Sequence, residues 1–115
     1  MQPSKRARAL IAVVDGLEAE LRRMQLWERE PPSEELLTSP QPFCVDTLAL
    51  SQWIQWLLIP RMRRILAGEG EIPTCSAIHP YAEDCFDHLA DPSSLLLLIE
   101  RFDELIRGEA VAVAH

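Results

Sequence analysis

An apolar stretch that contains a proline limits the possible folds of this chain more than any other feature. It runs from Gln41 to Met62 (QPFCVDTLALSQWIQWLLIPRM) and holds Trp53 and Trp56, with Pro60 and Arg61 near its end. Because water contact with so much apolar surface is unfavourable, the stretch has to lie in a core or be covered by a partner. It is too interrupted to cross a bilayer, which takes about 20 apolar residues.

The apolar periodicity around Pro60 predicts a helix that is kinked or broken near Ile59. Apolar residues recur at helical spacing from about residue 48 to residue 67, and Gly68 is a typical C-cap. The apolar arcs before and after Pro60 lie roughly 140° apart on a helical wheel, and proline also removes a hydrogen bond. The first arc is Leu50, Trp53, Ile54, Trp56, Leu57 and Leu58, and the second is Ile59, Met62, Ile65 and Leu66. We expect the two arcs to face different ways, with Asp46 or Thr47 capping the helix start.

Before this region, the sequence predicts one long helix and a packed connection. The helix runs from about Ser4, a plausible N-cap, to Trp27, and Gly16 within it would allow another element to approach closely. Four prolines then disfavour a long helix between residues 28 and 47, although residues 33–37 could form one helical turn. We expect this connection to be ordered by its own apolar side chains, Leu36, Leu37, Phe43 and Val45.

After Gly68, the sequence predicts a loop and two more helices. A short helix is expected from about Pro80 to Leu89, because proline suits the first helical turn. Asp91 and Pro92 indicate the start of a fourth helix that runs to Arg107 and stops at Gly108. The last six residues, 110–115, are expected to fray.

Length and composition are typical of one soluble domain. The chain has 115 residues, of which 48% are hydrophobic and 25% charged. No strand pattern competes with the helical periodicity, so we predict an all-α, single-domain bundle (residues 1–115) of about four helices. Three cysteines do not suggest a disulfide scaffold, and we expect reduced thiols and a cytoplasmic location without membrane attachment.

The apolar stretch from Gln41 to Met62 also carries a family resemblance, which extends along most of the chain. The shared pattern consists of Gln41-Pro42-Phe43, Asp46-Thr47, Trp53, Gln55-Trp56 and Leu58-Ile59-Pro60-Arg61-Met62, and it continues more loosely from Pro73 to Pro80-Tyr81. In these residues the chain resembles the YqcC-like family of small proteobacterial proteins. The resemblance implies an all-helical bundle. Genes of the family often lie beside a gene for a tRNA pseudouridine synthase, which implies an accessory role.

A metal-dependent or thiol enzyme is the first alternative function. Cysteine and histidine are zinc ligand types, and four of them fall within fourteen residues, although their spacings match no common zinc signature. The four are Cys75, His79, Cys85 and His88. A thiol enzyme would pair Cys44 with one of these histidines, but the sequence marks no group to orient the base or to stabilise an oxyanion. We therefore expect no catalytic residue, metal or cofactor.

Direct RNA binding is the second alternative. Arg61, Arg63 and Arg64 form a basic cluster that could contact phosphates. A solvated face with ion pairs is the simpler interpretation of Arg63 and Arg64, and the net charge of −7 is unlike that of most nucleic-acid-binding proteins. Arg61 differs because it follows Pro60, where it could bind freed carbonyls or Asp46.

The interpretation we favour is a non-catalytic interaction protein. Aromatic and arginine side chains concentrate the binding energy of interfaces. The predicted partner surface consists of Phe43, Trp53, Trp56, Pro60 and Arg61. The sequence leaves Phe43 and Trp56 open between core and interface. By the family resemblance, the expected protein partner is a tRNA pseudouridine synthase.

Overall fold

The computed structural model describes residues 4–108, and within them every regular element is helical. The helices are α1 (Lys5–Arg23), α2 (Glu34–Leu37), α3 (Leu50–Trp53), α4 (Ile59–Arg64), α5 (His79–Cys85) and α6 (Ser93–Arg107). A 3-10 turn covers Pro42–Cys44, and π-helical turns cover Ile54–Leu58 and Ile65–Glu69. This confirms the predicted all-α class. The end expected to fray, residues 110–115, lies outside the described residues.

Helix α1 begins as predicted and ends earlier than predicted. The Ser4 hydroxyl accepts a hydrogen bond from the Ala7 amide at 3.0 Å, as an N-cap does. The helix ends at Arg23, and Gln25 takes a left-handed conformation with φ of 61° while the Leu26 amide donates to the Leu21 carbonyl at 2.8 Å. This is a Schellman ending, which usually has glycine at the left-handed position. Because glutamine occupies this position, no local residue signalled the end of the helix.

The predicted role of Gly16 is confirmed by the packing of α1 against α6. A Cβ atom added to Gly16 would lie 3.1 Å from Leu98 Cδ2, closer than side chains normally pack. The glycine therefore lets Leu98 approach the backbone of α1. The two helices pack against each other, and α1 also contacts α4. Their buried apolar side chains are Leu10, Val13, Val14, Leu17 and Leu21 from α1 and Leu95, Ile99, Phe102, Leu105 and Ile106 from α6.

The interruption predicted near Pro60 is present as a π-helical turn. We call residues 50–69 the central helix. Within it the Ile59 amide donates to the Ile54 carbonyl, five residues back instead of four. This turn holds one extra residue, which shifts the phase of the following helix by about 100°. Members of both predicted arcs, Ile54 and Ile59 among them, therefore enter the same core, and the expectation that the arcs face different ways is wrong.

The predicted cap of the central helix is wrong. The helix begins after Ala49, whose amide donates to the side-chain oxygen of Gln52 at 2.9 Å. The Asp46 carboxylate instead accepts a hydrogen bond from the Ser39 hydroxyl at 2.5 Å. The Thr47 hydroxyl donates to the Leu36 carbonyl at 2.7 Å. Both side chains are thus used to order the preceding connection and are not available to the helix start.

The connection between α1 and the central helix is ordered partly by residues other than those predicted. The predicted turn at residues 33–37 is present as α2. Leu36 and Val45, however, are 39% and 50% exposed, while Cys44 and Leu48 are buried in their place. Cys44, the last residue of the 3-10 turn, is the buried residue of that turn.

Helices α5 and α6 follow the predicted order, but the end of α5 and the cap of α6 differ from the prediction. Helix α5 ends at Cys85, before the predicted Leu89. The predicted Asp91 cap is wrong, because Pro92 holds the N-cap position and no side chain caps it. Gly108 ends α6 in the left-handed conformation with φ of 84°, as predicted. Within residues 4–108, no helix has the length and apolar character needed to cross a membrane.

Replacing Arg6 with alanine is expected to lower the free energy of unfolding by about 1–2 kcal/mol, because a charged donor to the last carbonyls of α6 is lost. The Arg6 guanidinium donates to the carbonyls of Leu105 (2.7 Å), Ile106 and Pro73 (3.4 Å). Urea unfolding would measure the change. Arg8→Ala is the control, since Arg8 is exposed on the same helix. Equal losses in the two variants would contradict the capping role.

Candidate interaction site

An open groove of about 350 Å³ lies between the central helix, residues 73–78 and α6. We call it the Phe43 groove. Its lining is mostly apolar, and three of the five predicted partner residues belong to it: Phe43, Trp53 and Arg61. The other lining residues are Leu58, Met62, Pro73, Cys75, Ser76, Ala77, Ile78, Phe102 and Ile106.

The π-helical turn builds one wall of the Phe43 groove. Trp53 and Leu58 are five residues apart, a spacing that an α-helix would send to different sides. With one extra residue in the turn, both line the groove together with Arg61 and Met62 from the next turns. Such single π turns inside α-helices occur frequently at functional sites. The interruption at Pro60 therefore shapes the groove as well as the core.

Backbone strain is concentrated at the aromatic edge of the groove. Phe43 and Cys44 are both in the left-handed region, with φ of 58° and 48°, which costs non-glycine residues of order 1 kcal/mol or more each. The Phe43 ring packs edge to face against Trp53, with 5.0 Å between the ring centroids, and stacks on Tyr81, with 5.2 Å between the centroids. Phe43 and Trp53 are half-buried and pack against the core, so each serves both core and groove.

Tyr81 closes the aromatic cluster behind Phe43. A hydrogen bond with Cys85, together with burial, raises the pKa of the Tyr81 phenol. A phenol is protonated at neutral pH even at its ordinary pKa, so this shift extends its uncharged range to higher pH, which suits a ring stacked in a half-buried cluster.

Among residues 4–108, Arg61 is the only charged residue that lines the Phe43 groove. It is exposed, and across residues 4–108 it has no hydrogen-bond or ion-pair partner. The prediction that Arg61 binds Asp46 or freed carbonyls is wrong, because the Asp46 carboxylate accepts a hydrogen bond from Ser39 instead. A solvated guanidinium beside apolar surface is available to a carboxylate of a partner.

The other two predicted partner residues, Trp56 and Pro60, line a second cavity of about 400 Å³. Here the Trp56 indole donates to the Glu28 carboxylate at 3.0 Å. The buried Gln55 amide pairs with the Glu28 backbone, accepting from its N–H at 2.8 Å and donating to its carbonyl at 2.7 Å. We call this arrangement the Glu28 clamp. The structure thus divides the predicted surface between two sites.

The basic cluster does not form one free cationic surface. Arg63 forms ion pairs with Asp15 (3.1 Å) and Glu18 (2.8 Å), which confirms the ion-pair interpretation for this residue. Hydrogen bonds from Arg22 and then Arg63 lower the pKa of Glu18. Although burial opposes it, the bonds with Glu18 and Asp15 raise the pKa of Arg63. Arg64 is exposed on the same helix.

The structure does not bring the proposed zinc ligands together. Cys75 lies in the Phe43 groove, whereas Cys85 and His88 line a different cavity. His79 lies between two carboxylates, each 3.5 Å from one of its ring nitrogens. In the part of the chain that is described, no group of three His, Cys, Asp or Glu side chains could hold a metal ion.

The proposed thiol nucleophile, Cys44, is also poorly placed for chemistry. It is buried at 4% exposure, and its sulfur contacts the Leu37 carbonyl at 4.0 Å. No hydrogen bond links it to a histidine among residues 4–108. Because a thiol needs a base and access to substrate to act as a nucleophile, this environment fits a packing role.

Asp103 supports the loop wall of the groove, and sequence analysis missed it. It is 2% exposed and accepts hydrogen bonds from the Ser76 hydroxyl (2.5 Å), the Ile78 amide (3.1 Å) and the His79 amide (2.8 Å). The carboxylate therefore caps α5 from another helix. One signal was available, since Asp103 follows Ile99 by four residues and so lies on the apolar face of α6.

Comparison with known proteins gives two full-length relatives without an assigned activity. The chain is 37% identical over 101 residues to the uncharacterized protein YqcC of Escherichia coli K12, which covers 84% of this chain and 90% of that protein. It is 32% identical over 92 residues to an uncharacterized protein of Haemophilus influenzae, covering 80% of this chain and 87% of that protein. The solution NMR structure of E. coli YqcC matches with a TM-score of 0.77 and 31% identity, over 92% of each chain.

Two further matches carry the name of an enzyme. Residues 9–105 match a family model described as DUF446, tRNA pseudouridine synthase C. A protein of Pectobacterium carotovorum named tRNA pseudouridine synthase C is 39% identical over 57 residues. This match covers 50% of the present chain and 15% of that protein, so most of that protein lies outside the match.

Proposed function

This chain belongs to the YqcC-like family that the DUF446 model describes, and from this premise we propose that it is a non-catalytic accessory protein of a tRNA pseudouridine synthase. In this proposal the Phe43 groove is the surface that docks the enzyme. The observation that carries the proposal is the groove itself, an open apolar site with two aromatic rings and an unpaired arginine at its edge.

The composition of the groove supports protein docking over small-molecule chemistry. Interface hot spots are enriched in tryptophan and arginine and lie in apolar surroundings, as Trp53 and Arg61 do here. The strain at Phe43 supports the same view, since costly backbone conformations cluster at functional sites. Together, the composition and the strained backbone support a role for this surface in binding.

The class of partner in this proposal is suggested by the name of one relative. In the Pectobacterium protein named tRNA pseudouridine synthase C, a segment similar to half of this chain is part of a longer polypeptide. Joining two modules in one polypeptide gives them a high effective concentration, which is useful only when they act together. A separate chain of the same family could serve the enzyme by binding it.

A non-catalytic role is supported by where the reactive side chains lie. The cysteines and histidines of the described residues do not share one site: Cys75 lines the Phe43 groove, Cys85 and His88 line another cavity, and Cys44 is buried. Catalysis by a nucleophile or a metal requires these groups to converge on one reacting atom. The polar residues that do converge, around Glu28 and Asp103, bond to backbone groups of the chain itself.

Leu58→Ala is expected to weaken binding of the synthase at least about fivefold, because truncating a hot-spot side chain costs more than 1 kcal/mol. Leu58 lines the groove, and its neighbour Leu57 lines none of the cavities described above. Calorimetric titration of the purified chain with the tRNA pseudouridine synthase C of the same organism would measure the affinity.

Leu57→Ala is the matched control, since both leucines are half-buried on the same π-helical turn. Its affinity should stay within about twofold of the wild type, and circular dichroism would verify that both variants are folded. Absence of binding by the wild-type chain would refute the proposed function. Equal effects of the two substitutions would move the docking surface away from the groove.

A further inference from the structure

We infer, on the basis of the proposed function, that the Phe43 groove receives an amphipathic helix of the partner and that a carboxylate on this helix pairs with Arg61. Three features of the groove support this: its charge, its apolar floor and the backbone groups of its walls.

The charge of the groove selects an acidic residue. The chain carries a net charge of −7, yet the one charged residue among the described residues that line the groove is a cation. Arg61 has no partner within residues 4–108 and lies beside Leu58 and Met62. An aspartate or glutamate placed there would form a charge-assisted pair at the edge of an apolar contact, where it fixes register more than it adds affinity.

The helical walls of the groove suit a helix as the bound element. Two walls are helices, which present side chains and no free backbone groups. In the third wall, residues 73–78, the Ser76 carbonyl and the Ile78 amide are bonded within the chain, whereas the backbone groups of Cys75 and Ala77 have no partner among the described residues. Along the two helical walls an extended peptide would find no backbone partners, whereas a helix satisfies its own backbone groups and can bury an apolar face.

The test uses overlapping peptides of the synthase, each about 20 residues long, which is enough for several helical turns. Binding of fluorescently labelled peptides to the chain would be measured by anisotropy. We expect one amphipathic, acidic peptide to bind, and Arg61→Gln to weaken it at least about fivefold. Arg64→Gln is the matched control, because Arg64 is an exposed arginine of the same helix outside the groove.

The other possible results distinguish the carboxylate pairing, the helical ligand and the proposed function. If a peptide binds and neither Arg61→Gln nor exchange of its acidic residues for amides weakens it, the carboxylate pairing is refuted. If the intact synthase binds while no peptide does, the helix inference fails and the proposed function stands. If the intact synthase itself does not bind, the proposed function fails and this inference fails with it.

Discussion

Asp103→Ala is expected to lower the free energy of unfolding by about 3 kcal/mol. The substitution leaves the Ile78 and His79 amides and the Ser76 hydroxyl without their shared acceptor, and hydrogen bonds to a charged group contribute roughly 1.5–3 kcal/mol each. Partial hydration of the freed groups offsets some of this loss. For a domain of this size, the melting temperature should fall by about 10 °C.

Thermal and urea unfolding of two further variants separate this role from a general effect of the substitution. Glu104→Ala removes the neighbouring acid on α6 and should change the free energy of unfolding by less than about 0.5 kcal/mol. Asp103→Asn preserves the size of the side chain but places an NH2 group where a carboxylate oxygen accepted hydrogen bonds. The free energy of unfolding should therefore fall by at least about 1.5 kcal/mol. A fully stable Asp103→Asn variant would show that the carboxylate does not hold the loop wall.

Gln55→Leu is expected to lower the free energy of unfolding by about 2–3 kcal/mol. Leucine has similar volume, but it cannot pair with the Glu28 N–H and carbonyl, and each half-buried backbone group left unpaired costs about 1–3 kcal/mol. The connection that follows Glu28 should also become more sensitive to proteolysis, because its first anchor is lost. Urea unfolding and limited trypsin digestion would measure the two effects.

Glu28→Ala is the control for this prediction. It removes the contacts of the Glu28 carboxylate with Trp56 and Gln52 but keeps both backbone bonds to Gln55. We expect a loss of about 1 kcal/mol, clearly smaller than that of Gln55→Leu. A larger loss in Glu28→Ala would mean that the carboxylate, and not the backbone pairing, is the main anchor.

Local signals in the sequence predicted the helical order of this chain well. Ser4 caps the start of α1 and Gly108 caps the end of α6, as their residue types predicted. The conflict between the two apolar arcs correctly located the interruption near Pro60. The errors arose at helix ends whose local conformation does not use the usual capping residues. Gln25 occupies a position that normally holds glycine, and Pro92 starts α6 without the expected Asp91 cap.

The candidate site was predicted only in part, because its geometry depends on long-range contacts. Phe43, Trp53 and Arg61 do meet in one groove, but the π turn directs Trp56 to the Glu28 clamp. A helical wheel assumes a constant 100° per residue, so it could not separate Trp53 from Trp56. The partners of Gln55 and Asp103 lie 24 to 27 residues away, beyond any local pattern.

The most direct test of docking at the Phe43 groove uses the three tryptophans as probes. Trp53 lines this groove, whereas Trp27 and Trp56 line the second cavity. With the chain labelled by 5-fluorotryptophan, fluorine NMR would follow the three resonances during titration with the synthase. Docking in the groove predicts that the Trp53 resonance changes position most and that of Trp27 least. A bound complex in which Trp53 is unchanged while Trp27 and Trp56 shift would contradict it.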